Sequence, residues 1–126
     1  MTALLVALGG ALGAVLRYWI GTAVQSASPV QAFPWGTFVV NVSGCFLMGA
    51  VSAVAERHGY LSVEIRAFVA VGVLGGFTTF SAFANETMGA VRLGAPAVAI
   101  ANVVSSVAVC LAAVWCGRAT TVLWLR

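Results

Sequence analysis

Apolar residues fill the chain in four long runs parted by short polar interruptions, and none alternates with the period of two that a half-buried strand shows. The runs cover about 2–24, 33–55, 62–88 and 95–117. Each is long enough for the roughly 20 helical residues that cross about 30 Å of hydrocarbon. Strands are disfavoured a second time because an open sheet would leave unpaired edges in lipid. The pattern therefore predicts an all-α integral membrane protein with four transmembrane helices, residues 1–126 forming one four-helix transmembrane domain. Connections fall at 25–32, at 56–61 and at a tight turn near Arg92-Leu93-Gly94, so no stretch remains for an extramembrane domain.

Composition agrees with that pattern. Hydrophobic residues make up 62% and charged residues 7%, against about 45–50% and about 25% in soluble domains. Mean hydropathy is +1.07. The net charge of +3 comes from six arginines set against three glutamates, with no lysine. The arginines stand one by one rather than in a stripe, which argues against nucleic acid as a partner; they read as helix-end anchors facing headgroups and water. With the amino terminus inside, Arg57, Arg66, Arg118 and Arg126 face the cytoplasm and Arg92 and Arg17 the other side, a weak bias that leaves open both one fixed orientation and insertion both ways. Cys45, Cys110 and Cys116 form no C-x-x-C pair and suggest neither a disulfide framework nor zinc. Ser26-Ala27-Ser28 follows an apolar stretch as a signal-peptide cleavage site would. No positive region precedes that stretch and Arg17 interrupts it, so the first run reads as a retained helix.

Polar groups in hydrocarbon are costly, so each needs a reason. Thr37, Asn41, Gly44 or Cys45, and Met48 recur at three- and four-residue steps and share one helix face. Asn41 either bonds a neighbouring helix or offers uncharged N–H donors to an anion. In the third run Gly72, Gly75 and Gly76 precede Phe77-Thr78-Thr79-Phe80-Ser81-Ala82-Phe83, a poor continuous helix. A break near mid-membrane is expected there. Its freed carbonyls either are closed off by Thr and Ser hydroxyls around a glycine kink, or face a cavity and ligate a hard cation. Phe80 and Phe83 either pack or present electropositive ring edges to a small dehydrated anion. Asn102, Ser105 and Ser106 add donors in the fourth run, for interhelical bonding or for a pathway.

The first run carries Gly9-x-x-x-Gly13, a close-packing device that continues to Arg17. Arg17 is expected to snorkel outward or to pair with Glu86 near the end of the third helix. Four helices enclose little polar space, while polar faces appear on three of them, so a homo-oligomer is expected.

These residues resemble the Fluc (CrcB) fluoride channels of microbes. The similarity covers all four runs: Gly9-Gly10-x-x-Gly13-Ala14-x-x-Arg17-Tyr18, then Gly36-Thr37-x-x-Val40-Asn41-x-x-Gly44, then Gly75-Gly76-x-Thr78-Thr79-Phe80-Ser81-x-Phe83. The resemblance implies a fluoride-selective channel in a bacterial plasma (inner) membrane, passing fluoride passively down its electrochemical gradient and lowering cytoplasmic fluoride. It implies an antiparallel dual-topology dimer, either of two copies of this chain or with an oppositely inserted paralogue. It implies a pathway along Asn41, Phe80, Phe83, Thr37, Ser81 and Ser106. It also implies a structural sodium ion at the dimer interface, on backbone carbonyls of Gly75 and Thr78 from both subunits. Asn102 stands where many members carry tyrosine, and Cys110 where glycine is common.

Two other readings stay in view. A small proton-coupled multidrug-type transporter needs a membrane carboxylate, typically in its first helix, and this first run has none. A non-conducting membrane scaffold subunit needs no pathway at all. An enzyme is not expected, because His58 is read as a lone loop residue and no nucleophile, base and acid set is apparent.

Overall fold

The structure is a computed structural model describing residues 1–58 and 61–126. Every described regular element is helical: α1 (Thr2–Ala27), α2 (Trp35–His58), α3 (Val63–Arg66), a π-helical stretch (Ala67–Leu74), α4 (Gly75–Phe77), α5 (Phe80–Arg92) and α6 (Pro96–Trp124). From α3 to α5 these form one interrupted span, Val63–Arg92, so four helices are long and apolar enough to cross a membrane. Their C-terminal ends overrun the hydrophobic runs. α1 reaches Ala27, α6 reaches Trp124, and α2 ends at His58, which is therefore the last residue of a helix rather than part of a loop. Of the expected connection 56–61, residues 59–60 lie outside the described residues.

The helix ends show how the sequence fixes the connections. Gln25 near the end of α1 accepts the Gly36 N–H at 3.1 Å, pairing one of the amides that a helix start leaves free, and donates to the Phe33 carbonyl at 3.3 Å. Ser62 caps α3 by accepting the Ile65 N–H at 3.3 Å. After α5 the chain reverses at Gly94, φ 75°, and Ala95 N–H reaches back to the Ala90 carbonyl at 2.9 Å. That is a glycine-terminated helix end, and Pro96 then opens α6 at a position where its missing N–H costs nothing.

Packing runs through glycines at several seams, among them α1 with α2, where a Cβ on Gly36 would meet the Gly21 carbonyl. Along α1, a Cβ on Gly13 would strike the Val73 carbonyl and come within 2.8 Å of the Phe77 nitrogen, and a Cβ on Gly9 would meet the Phe68 carbonyl. The third span thus lies backbone to backbone on α1, and Gly76 in turn sits on the Gly10 carbonyl. Gly72, Gly75 and Gly76 are helical here. Two of them, Gly72 and Gly76, serve this contact rather than the break. Between α2 and α6, a Cβ on Gly49 would meet the Val114 carbonyl, and one on Gly117 the Phe46 carbonyl. α2 and α6 are tied once more where both Arg118 guanidinium nitrogens bond the Glu56 carboxylate, one at 2.8 Å.

The break itself lies at two threonines. Thr78 (φ −84°, ψ 155°) and Thr79 (φ −150°, ψ 119°) are extended. Thr78 N–H and Oγ1 both bond the Leu74 carbonyl at 3.0 Å, which closes the first half-helix. Thr79 opens the second half as its N-cap, Oγ1 accepting the Ala82 N–H at 3.1 Å. Between them, Asn41 of α2 donates to the Thr79 carbonyl at 3.0 Å and accepts the Thr79 N–H at 2.8 Å. A side-chain amide oxygen thus replaces the helical carbonyl that the Thr79 N–H gave up, and the amide N–H adds a bond to the Thr79 carbonyl. Gly44, one turn further along α2, leaves room for the Thr78 methyl group.

Two outcomes follow from this packing. Gly13→Ala forces the α1 seam apart against immovable backbone and is expected to cost about 1–3 kcal/mol. Gly21→Ala, whose nearest neighbour would lie 3.8 Å away, is expected to be neutral or to stabilise by up to about 1 kcal/mol; thermal unfolding in detergent compares the two. Asn41→Ala leaves the Thr79 N–H unpaired at a cost of about 1–3 kcal/mol, and hydrogen exchange over Thr78–Ala82 is expected to rise well above wild type.

Candidate functional site

The unwound Thr78-Thr79 stretch divides two cavities. The larger, of about 790 Å³, is lined by Arg17, Gln25, Thr37, Thr79 and Glu86 among others, and also by Gln31 and Ser26 at the α1–α2 connection, so it opens at that face of the bundle. The smaller, of about 250 Å³, is walled by Asn41, Thr78, Thr79, Phe80, Phe83 and Ser106, with Cys45, Val107 and Cys110 completing it. Thr79 belongs to both.

The sequence-selected residues therefore fall into groups. Asn41, Phe80, Phe83 and Ser106 meet in the smaller cavity. The ring centroids of Phe80 and Phe83 lie 5.3 Å apart with their planes tilted by 46°, so the pair is not stacked face to face. Phe83 is buried at 9%, whereas Phe80 is 78% exposed on the single chain. Thr37 lines the larger cavity instead, donating to Glu86 Oε1 at 2.7 Å. Ser81 lies outside both cavities, exposed, with its hydroxyl 3.2 Å from that of Thr79. Gly75 is exposed at the end of the first half-helix, and Thr78 sits in the smaller cavity's wall.

Asn41 spends one of its two N–H bonds and its oxygen on Thr79. The second N–H remains for a group in the cavity. The interhelical and donor roles left open by the sequence are thus compatible in one side chain.

Arg17 and Glu86 do not pair. Arg17 Nε donates to the Gly76 carbonyl at 3.2 Å, beside the break. Glu86 is half-buried; it bonds Thr37, and its Oε2 is buried with no partner among the described residues. The α1 seam sets Gly10 on Gly76 and Gly13 beside Phe77, which brings the Arg17 side chain to the Gly76 carbonyl at the break, ten residues before Glu86 on the interrupted span.

Sequence reasoning missed Thr87. Asn102, only 2% exposed, donates to Thr87 Oγ1 at 2.9 Å and accepts from Ser106 Oγ at 3.1 Å. Thr87 in turn donates to the Phe83 carbonyl at 2.7 Å. The chain from Phe83 through Thr87 and Asn102 to Ser106 holds two cavity residues in place and accounts for an amide at position 102. The only sequence signal was a polar residue on each side of the Leu93-Gly94 turn.

Comparison with known proteins bears on this arrangement. Residues 4–118 match the family model described as CrcB-like protein, Camphor Resistance (CrcB). Among similar proteins, one from Rhodospirillum rubrum named fluoride-specific ion channel FluC is 45% identical over 98% of this chain and 96% of its own length. Proteins of the same name from Solibacter usitatus and Shewanella halifaxensis are 49% and 46% identical, over 93% and 91% of this chain and 95% and 91% of their own lengths. With four apolar spans, a helix broken at a clamped threonine pair and a near-complete family match, this chain is a multi-pass bacterial membrane protein that belongs to the CrcB family.

Proposed function

We propose that this protein is a fluoride-selective ion channel that lets fluoride leave the cell passively, down its electrochemical gradient. The observation that carries the reading is the smaller cavity: Asn41, Ser106 and two phenyl rings converge where the backbone of a membrane helix is interrupted. Close relatives bearing the name fluoride-specific ion channel support it. The chemistry is ion coordination without a bond-making step. Uncharged N–H and O–H donors and ring edges replace water around a small anion, and with no lysine or arginine at that cavity the ion is not held too tightly to leave.

Asn41, Phe80, Phe83 and Ser106 would contact the ion directly, and Thr37 would meet it in the larger, outward-opening cavity. Ser81 would serve through the Thr79 hydroxyl or along a path shared with a second chain.

That second chain is part of the proposal. Phe80 is 78% exposed, and Ser81 and Asn85, one turn apart on α5, expose polar groups on one face. Polar groups on a membrane helix need protein cover, which a second copy or a paralogue inserted the opposite way would supply. The weak arginine bias fits insertion both ways.

The same break suits a hard cation. Thr79 N–H, which in an unbroken helix would bond the Gly75 carbonyl, is bonded to Asn41. Gly75 O therefore lacks that helical donor beside the extended Thr78, and carbonyl oxygens are the ligands sodium prefers. Gly75 and Thr78 of two chains would hold it, and the ion would supply a fixed positive charge between them.

Liposomes loaded with fluoride or chloride and containing this purified chain alone test the function. Rapid fluoride efflux is expected, with no chloride efflux and no need for a proton gradient; equal release of both anions would overturn the assignment. Phe80→Ile is expected to lower fluoride efflux at least tenfold while the detergent-solubilised protein keeps its elution volume. Unchanged efflux in that variant would remove the ring edges from the mechanism.

A further inference from the structure

Cys45 of α2 and Cys110 of α6 are distant in sequence, yet the fold brings them together. The seam at Gly49 and Gly117 sets α2 and α6 backbone to backbone. Cys45 lies one turn before Gly49, and Cys110 one turn before Val114, whose carbonyl a Cβ on Gly49 would strike. Residues one turn before two touching points lie at matching levels of the seam. α2 and α6 run the same way along this seam, so Cys45 and Cys110 sit side by side at one level of it. Both are free, both are half-exposed, and both line the smaller cavity with Asn41 and Phe80.

The surroundings select the kind of ligand. Beyond the two sulfurs the cavity offers hydroxyls, an amide and phenyl rings, and no carboxylate or imidazole. Zinc, which takes four nitrogen or sulfur ligands in a structural site, would find two. Soft d10 cations that accept two thiolates are matched, because softness rather than charge governs their choice of sulfur.

We propose that Cys45 and Cys110 form a two-thiolate site for soft d10 cations, of the Cu(I), Ag(I) and Hg(II) class, in the wall of the smaller cavity, and that a bound cation obstructs ion passage. Each thiol gives its proton to solvent as its metal–sulfur bond forms. One Hg(II) therefore releases two protons and leaves a neutral bis-thiolate, with no oxidant or reductant involved. The obstruction half of this inference rests on the channel reading above; the binding half does not.

The test uses the full chain carrying Cys116→Ser, which removes the exposed third thiol. Mercuric chloride is added at half an equivalent in detergent, remaining thiols are alkylated with a maleimide, and intact masses are recorded. A shared site predicts protein with two labels or none. A dominant singly labelled species would show that the thiols bind separately and would overturn the site. In liposomes, one equivalent is expected to cut fluoride efflux at least tenfold in the Cys116→Ser protein. In the same protein with Cys45→Ser or Cys110→Ser added, the ratio of efflux with and without mercury is expected to stay within twofold of one. Full efflux with both thiols protected would overturn the obstruction. Absence of fluoride efflux before mercury is added would instead count against the channel reading, and the labelling pattern would still decide the site.

Discussion

Peptide groups in hydrocarbon have no water to bond, so a membrane helix can open only where something else satisfies what the opening exposes. In this protein that something is one side chain. Asn41 takes both the N–H and the carbonyl of Thr79, and it does so from a different span. The halves of the third span are then finished locally, the first by Thr78 bonding back to Leu74 and the second by the Thr79 hydroxyl on Ala82. The two cavities, the exposed Gly75 and the placement of Phe80 and Phe83 all depend on this opening being held.

The glycine seams make the clamp possible. An amide side chain reaches a neighbouring backbone only when the helices lie close. Gly44 permits that approach at the break itself, while the α1 seam presses the third span from the other side. The Thr87–Asn102–Ser106 bonds complete the enclosure from α6, so the smaller cavity is built from three spans.

The four spans were legible from hydrophobic run length alone, because lipid permits few alternatives to a helix of that length. The break was legible to within a few residues: paired glycines followed by hydroxyl residues announced it. The glycines misled as to its cause, since Gly72 and Gly76 turned out to be contact points with α1 and the opening fell at the threonines. Neither the π-helical stretch Ala67–Leu74 nor the separation of Arg17 from Glu86 could be read, because both depend on how two helices slide against each other, and a single run of residues records no such offset. Asn102 looked like a departure from the family pattern until Thr87 was placed beside it.

Thr79 forms part of the wall of both cavities, and this has an electrical consequence. A water-filled recess open to one side sits near the potential of the bath it faces, so the membrane voltage falls over whatever protein remains. A unit charge crossing the whole membrane exchanges about 2.3 kcal/mol per 100 mV. For an ion on the path proposed above, with the larger cavity reaching Thr79, most of that energy would be exchanged over the short distance beyond it, past Asn41 and the phenyl rings, rather than over the full thickness of the bilayer.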